Sequence, residues 1–386
     1  MSDCGRIKKT RICFVVAVPF TANAFLSQHI LALARKYQVA IALNGAVQDL
    51  RPELRQTTIH RFCILREIAP FRDLSALISL WNLFRRERFD VIHSMSPKAG
   101  LLAAIAGFLA GVPVRIHWFT GQVWSTKRGL MRSVLKTMDQ ITSRCATHLL
   151  ADSHSQAKFL VAEKVISEDK IQVLGGGSAS GVDVLRFHPD LETRNRIRAG
   201  YGIPNDATVA LFVGRLQPEK GIRELCEAFL AAAKLCPQLH LTLVGPDEAG
   251  MEKYVRTVLS EASKNLHWVG FTDKPEEYMA ASDFLVIPSY REGFGSVVIE
   301  AAACGIPSIG TDIYGLSDAI IHGKTGFLVP VGSVKALEAT ILRLAHDAGE
   351  RKRMGECALV RVLKQFRQDI LVDDLLEYYA RILVRQ

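Results

Sequence analysis

No stretch of this 386-residue chain approaches the ~20 consecutive apolar residues that a membrane-spanning helix needs. The longest candidate, Leu101 to Val114, contains Gly107 and Gly111 and meets Pro113. Any contact with a bilayer is therefore expected to be peripheral. The N-terminus places Arg6, Lys8 and Lys9 ahead of the apolar run Ile12 to Val18, which imitates a secretory signal. That run is short, ends at Pro19 and is followed by Thr21 and Asn23, so a first β-strand is the better reading. The eight cysteines, at 4, 13, 63, 145, 226, 236, 304 and 357, form no Cys-x-x-Cys and no zinc-type Cys/His cluster. This points to reduced thiols in a cytosolic compartment, packed as small hydrophobes. A Gly-x4-Gly-Lys-Ser/Thr phosphate loop is absent. So are the glycine signature of a helix-turn-helix, zinc-finger spacing and an aromatic RNA-binding strand, which argues against nucleic acid as a partner.

What is present is ordinary globular composition, 49% hydrophobic and 23% charged, too apolar for a disordered or fibrous chain. Single cores stop growing at about 250–300 residues, so two domains are expected. The net charge of +9 is unevenly spread: residues 1–190 carry +11 and residues 191–386 carry −2. The basic half is expected to meet an anionic surface or substrate, such as anionic lipid or a phosphorylated small molecule.

Short aliphatic runs alternate with helix-period segments throughout, the pattern of parallel sheets built from βαβ units. In the first half the strands are read at 11–18, 38–43, 90–93, 114–118, 148–151 and 171–174, with helices near 22–36, 74–88, 98–109, 129–144 and 153–162. The glycine-rich stretch Gly175 to Gly181 reads as a hinge. The alternation then restarts with strands at 209–213, 239–244, 283–287 and 307–310 and helices at 221–234, 251–262 and 296–304. Two α/β domains follow, 1–185 and 186–365, whose facing parallel sheets place a ligand cleft between them. Residues 366–386 form an amphipathic helix expected to cross back to the first domain.

Two clusters carry chemistry. Gly214-Arg215 to Glu219-Lys220-Gly221 sits where a strand runs into a helix. Gly214 permits close backbone approach, the helix start offers free N–H groups, and Arg215 and Lys220 add mobile positive charge, which together outline a phosphate site. A plain connection with two solvated cations is the alternative. The second cluster, Glu292-Gly293-Phe294-Gly295-Ser296 to Glu300, again opens a helix at a strand end. Its carboxylates can accept hydrogen bonds from vicinal hydroxyls while the loop amides face anionic oxygens. A capped helix with two solvated glutamates is the alternative, although Glu300, set between Ile299 and Ala301, is expected to need a partner.

These clusters, with Gly305-Ile-Pro307 and Gly323-Lys-Thr-Gly326, make the chain resemble the group 1 retaining glycosyltransferases of GT-B fold. His93 to Gly100, Arg115 to Trp124, Asp152 to Gln156 and Gly181 to Asp183 are similar to members that build bacterial O-antigen, capsule and exopolysaccharide. The resemblance implies two Rossmann-like α/β domains facing a central cleft. It gives Arg215 and Lys220 the donor diphosphate and the charge on the leaving nucleotide, and Glu300 the donor ribose. Glu292, with the amides of Gly293, Phe294 and Gly295, would contact the donor sugar, and Gly214 lines the same site. Many relatives carry a His before the first-domain glycine, where this chain has Thr120-Gly121. His117, three residues earlier, is the substitute candidate, with a structural role as its alternative. Thr21, in Pro19 to Asn23, replaces paired glycines, and Asp318 stands where relatives often carry Glu.

The resemblance further implies a hexosyltransferase that moves a sugar, N-acetylhexosamine or hexose, from a UDP-linked donor to a polyprenyl-diphosphate-linked saccharide at the inner face of the cell membrane. Asp-x-Asp is absent, so no metal is expected, and no cofactor, the nucleotide-sugar being a substrate. Basic residues among apolar ones, Arg85, Arg86 and Arg88 near Trp81, Leu83, Phe84 and Phe89, then Lys127, Arg128, Arg132 and Lys136 near Trp124, Leu130, Met131 and Leu135, suit an anionic lipid surface. A UDP-sugar 2-epimerase of the same fold and a nucleotide-binding scaffold without transfer activity are the alternatives.

Overall fold

The chain forms two parallel sheets flanked by helices in the computed structural model, which describes residues 9–64 and 69–384. Cys4, Arg6 and Lys8 lie outside the described residues. The first unit runs to Ser180 and resumes at Leu371, and the second is Gly181–Ile370. The divisions thus fall within the glycine-rich stretch and the last helix, at 180/181 and 370/371, where the sequence reading placed them at 185/186 and 365/366.

In the first unit the strands are β1 (Arg11–Val16), β2 (Gln38–Leu43), β3 (Thr58–Arg61), β4 (Val91–Met95), β5 (Val114–Phe119), β6 (His148–Ala151) and β7 (Ile171–Val173). Their order is β3-β2-β1-β4-β5-β6-β7, every pair parallel. Helices α1 (Ser27–Ala34), α2 (Pro70–Glu87), α3 (Pro97–Leu109), α4 (Gly129–Cys145) and α5 (His154–Ala162) make the crossovers. Strand β1 ends at Val16 rather than Val18. Pro19–Thr21 is already a helical turn, and a π-helical turn at Ala22–Leu26 leads into α1.

The second unit opens with α6 (Leu191–Gly200). It continues with β8 (Thr208–Val213), α7 (Ile222–Leu235), β9 (Leu239–Val244), α8 (Glu252–Val258), β10 (Leu266–Gly270), α9 (Pro275–Ala281) and β11 (Phe284–Ile287). Then come α10 (Ser296–Ala303), β12 (Ser308–Thr311), α11 (Leu316–Ala319), β13 (Gly326–Val329), α12 (Val334–His346) and α13 (Ala348–Gln365). Its strand order, β10-β9-β8-β11-β12-β13, repeats the topology of the first sheet. In each unit the order reverses direction beside the first strand, between β1 and β4 and between β8 and β11. Loops leaving the carboxyl ends of two such strands diverge to opposite faces and leave a crevice.

Strands β3, β10 and β13 were not read in the sequence, and all three are sheet edges. An edge strand covers less apolar surface, and β3, Thr-Ile-His-Arg, has no fully buried residue. Helix α6 was missed for a related reason. It is anchored by charge rather than by an apolar stripe: Arg198, 1% exposed, donates to the carbonyls of Ala281 and Ala207 and to Asp283 Oδ2 at 2.7 Å.

The last helix, α14 (Gln368–Val384), buries Leu375, Tyr378, Tyr379 and Ile382 in the core that α1 and the first sheet share. Tyr379 is fully buried, and its hydroxyl lies 2.8 Å from His93 Nδ1 on β4. Tyr379→Ala is expected to cost the first unit about 3–5 kcal/mol through the cavity it leaves. Tyr379→Phe, which loses only the hydrogen bond, should cost about 1 kcal/mol. Thermal or urea unfolding followed by circular dichroism separates the two.

Candidate active site

The crevice of the second unit is shaped by a backbone contact. Gly221, at φ +72°, precedes α7, and a Cβ there would lie 2.1 Å from the carbonyl oxygen of Pro288. Only glycine permits both the left-handed conformation and that approach. The loop after β8 and the loop after β11 are thereby pressed together, and Tyr290 N donates to Glu219 O at 3.0 Å. Lys220 Nζ consequently reaches Glu292 Oε1 at 2.5 Å, and Ser289 Oγ donates to the same oxygen at 2.8 Å.

Arg215 stands beyond Gly214 at the end of β8 and pairs with Glu248 Oε2 at 3.1 Å, with Glu219 at 3.8 Å. Arg291 holds the other side of Glu219 at 3.3 Å. Tyr290 donates its hydroxyl to Glu224 at 2.6 Å, which pushes the phenol up to about 12. Gly293 is half-buried in the loop, and Phe294 is turned into the core, where it meets Phe366 at 5.3 Å. Gly295, at φ +86°, starts α10, whose first turn no side chain caps, so its leading amides are open to an anion.

Glu300 lies on the fifth residue of α10, half-buried. The sequence reading expected a partner for it. Its carboxylate makes no hydrogen bond or ion pair with the described residues. Burial raises its pKa to about 7, with Arg186 opposing and Glu276 adding to the shift. Two cations, a row of open amides and two carboxylates in different environments can bind a diphosphate beside a polyhydroxyl group. Among the described residues no cluster of three or more His, Cys, Asp or Glu is arranged to hold a metal ion.

In the first unit Thr21 is half-exposed in its helical turn. Thr120 and Gly121 follow β5, half-exposed, with the Thr120 carbonyl held by the side-chain amides of Gln122 and Gln156 at 2.7 and 2.6 Å. His117 is enclosed. It is 2% exposed, its Nδ1 lies 3.0 Å from Ser94 Oγ, and Phe119 meets its ring edge-on at 4.5 Å. Gly100 of α3 comes so near that a Cβ there would fall 2.1 Å from His117 Cε1. Burial pushes its pKa down to about 3. It is a buried, neutral imidazole in the structure.

Residues 193–360 match the glycosyl transferases group 1 family, and residues 23–177 match the glycosyl transferase 4-like domain. The chain is 32% identical over 327 residues to the capsular polysaccharide biosynthesis glycosyltransferase CapM of Staphylococcus aureus, covering 84% of this chain and 85% of that one. It belongs to the group 1 glycosyltransferase family. A UDP-Gal:α-D-GlcNAc-diphosphoundecaprenol α-1,3-galactosyltransferase of Escherichia coli is 28% identical over 309 residues, 79% of this chain and 78% of that one. Anabaena HepE, solved in complex with UDP and glucose, shares the GT-B fold at a TM-score of 0.80 and 19% identity, covering 96% of this chain and all of that one.

Sequence reasoning missed several residues that organise this glycosyltransferase's second unit: Glu248, Ser289, Arg291, Arg186 and Glu276. Glu248 had a signal, the Gly245-Pro246 break after a strand. Ser289 stands three residues from Glu292 in the same loop, while Arg291, Arg186 and Glu276 pair across elements far apart in sequence, where no local pattern announces them.

The pH behaviour of Glu300 has a definite sign. Its folded pKa is raised, so the native state holds a proton that the unfolded chain releases, and stability is lost as pH rises toward 7 and stays lost above it. Glu300→Gln should therefore raise Tm at pH 8.5 and leave it nearly unchanged at pH 4.5, as read by scanning calorimetry.

Proposed function

We propose that this glycosyltransferase moves a hexose or N-acetylhexosamine from a UDP-linked donor, held by the second unit, to a polyprenyl-diphosphate-linked saccharide held by the first, in the assembly of a bacterial surface polysaccharide. The observation that carries the donor half is the contact of Lys220 with Glu292 where the β8 and β11 loops meet, flanked by Arg215 and the uncapped start of α10. Cations and helix amides at one spot suit a diphosphate, and carboxylates beside them suit hydroxyls. Support for the nucleotide comes from the UDP bound in the HepE structure. Support for the acceptor class comes from the diphosphoundecaprenol substrate in the name of the E. coli relative.

In this reading the anomeric configuration is retained and no metal takes part. The acceptor hydroxyl oxygen bonds to the anomeric carbon on the face that the nucleotide leaves. The bond from that carbon to the diphosphate oxygen breaks, and the acceptor proton passes to the departing phosphate. Arg215, Lys220 and the α10 amides stabilise the charge growing on that phosphate. Glu292 orients the sugar hydroxyls, and Glu300 takes the ribose. Thr21, Thr120 and Gly121 are the acceptor-side candidates.

A second element of the proposal is peripheral docking of the first unit on anionic lipid. Among the described residues no helix is long and apolar enough to cross a membrane. Helices α2, α3 and α4 pack in a row, and their exposed residues refine the surface read from sequence. Leu83, Phe84, Phe89 and Trp124 are buried. Arg132 and Lys136 turn back to Glu163 at 2.8 and 2.7 Å. The outward apolar residues are Phe71, 91% exposed, with Leu74 and Ile78 on α2 and Leu130, Met131 and Val134 on α4. Arg85, Arg86 and Arg88 are exposed at the far end of α2, and Lys127 and Arg128 just ahead of α4, each cation contributing about 1 kcal/mol near an anionic bilayer.

Turnover assayed with a panel of UDP-, GDP- and dTDP-sugars and a lipid-diphosphate saccharide tests the reaction. Lys220→Ala and Glu292→Ala should each lower kcat/KM by about 10²- to 10³-fold without unfolding the protein, and near-wild-type turnover in both removes the assignment. Flotation with anionic vesicles should carry the protein at low salt and less of it at high salt. Phe71→Ser with Leu130→Ser should weaken it further, and no flotation at either salt removes the docking element.

A further inference from the structure

The two oxygens of the Glu292 carboxylate are used unequally. Oε1 accepts from Lys220 Nζ at 2.5 Å and from Ser289 Oγ at 2.8 Å. Oε2 accepts no hydrogen bond from the described residues. A glutamate side chain turns about three bonds, and its two oxygens are chemically alike, so nothing in the residue itself selects which one is spent. Two donors converging on one oxygen make that selection and leave the other free.

Those donors differ in kind. Lys220 carries a flexible stem and a charge for which the diphosphate of a bound nucleotide competes. Ser289 is neutral, fully buried and held through its backbone. The carbonyl of Pro288 lies against Gly221, the carbonyl of Ser289 accepts from Thr311 Oγ1 on β12, and the amide of Tyr290 donates to Glu219 O at 3.0 Å. Three successive residues are thus pinned from β12 and from the loop after β8. On the other side of Glu292, Gly315 at φ +85° lets the two loops meet: a Cβ there would lie 2.6 Å from Gly293 O and 3.0 Å from Glu292 O. The backbone that carries Glu292 is therefore fixed before the serine hydroxyl turns its carboxylate.

We propose that Ser289 is a positioning residue of the donor site. It holds Glu292 Oε1 by a bond that does not depend on Lys220, so Oε2 stays presented to the hydroxyls of the donor sugar when the ammonium turns to the diphosphate. This rests on the donor reading given above for Glu292 and Lys220. Ser289 touches no reacting atom. It acts through the carboxylate, by removing from the binding step the cost of ordering a glutamate side chain. Its loss should spare the nucleotide and fall on the sugar.

The test compares full-length wild type, Ser289→Ala, Ser289→Cys, and Glu292→Ala with and without Ser289→Ala. Isothermal titration with UDP reads the nucleotide subsite alone. Release of UDP from UDP-galactose, UDP-glucose and UDP-N-acetylglucosamine reads the sugar-bearing donor. For the sugar nucleotide turned over best, Ser289→Ala should lower kcat/KM by about tenfold, the loss of one hydrogen bond to a charged group. The Kd for UDP, which has no sugar to transfer, should stay at the wild-type value. Ser289→Cys fills similar space with a weaker donor and should fall between the two, and it reads the same bond if alanine unfolds the loop. In the Glu292→Ala background the Ser289→Ala loss should vanish, which a merely structural role for the serine would not produce. Wild-type kcat/KM in the Ser289 variants, beside a Glu292→Ala variant that has lost turnover, overturns the inference and leaves the donor reading in place. So does a loss that persists without Glu292 or that weakens UDP binding in step. Near-wild-type turnover by Glu292→Ala, or a wild type that turns over none of the three sugar nucleotides, overturns both.

Discussion

The second unit depends on one backbone approach, Gly221 against the carbonyl of Pro288. Neighbouring strands β8 and β11 send their loops to helices on opposite faces of the sheet, and nothing in that divergence by itself brings Lys220 near Glu292. The glycine removes the side chain that would hold the loops apart, at a position whose left-handed backbone favours it as well. With the loops joined, cation and carboxylate meet, Tyr290 closes the backbone contact, and the uncapped end of α10 opens beside them. The charges that would repel or scatter an anion are thereby disposed around one point.

The two glutamates of this site differ because their surroundings differ. Glu292 has an ammonium and a hydroxyl on one oxygen, so its ion pair is satisfied in the absence of ligand. Glu300 has neither, and burial lifts its pKa to about 7. One carboxylate is held ready in a fixed geometry; the other retains unspent hydrogen-bonding capacity, which costs stability and is available to a ligand.

In the first unit His117 is enclosed by a glycine-bearing helix and held neutral by that burial. The positive charge of the first half likewise divides in two. Arg132 and Lys136 are spent internally on Glu163, while the cations at the end of α2 and ahead of α4 remain at the surface. The apolar residues beside them in sequence are core. Exposed apolar residues such as Phe71 and Leu130 stand in the first turns of their helices.

The sequence alone determined the class of fold, because alternating aliphatic runs and helix-period segments admit few arrangements other than parallel sheets with crossover helices. It also marked the loops at the ends of β8 and β11, since glycine, charge and strand end coincide there within ten residues. It did not reveal the edge strands β3 and β10, whose burial is too slight to impose a pattern, the short edge strand β13, or helix α6, tied down by the Arg198–Asp283 pair instead of an apolar stripe. Only the tertiary structure decided that Lys220 faces Glu292, that His117 is enclosed and that the Glu300 carboxylate makes no hydrogen bond. Those are relations between segments separated by tens of residues, set by how strands order themselves in the sheet, and local periodicity carries no information about which loops will touch.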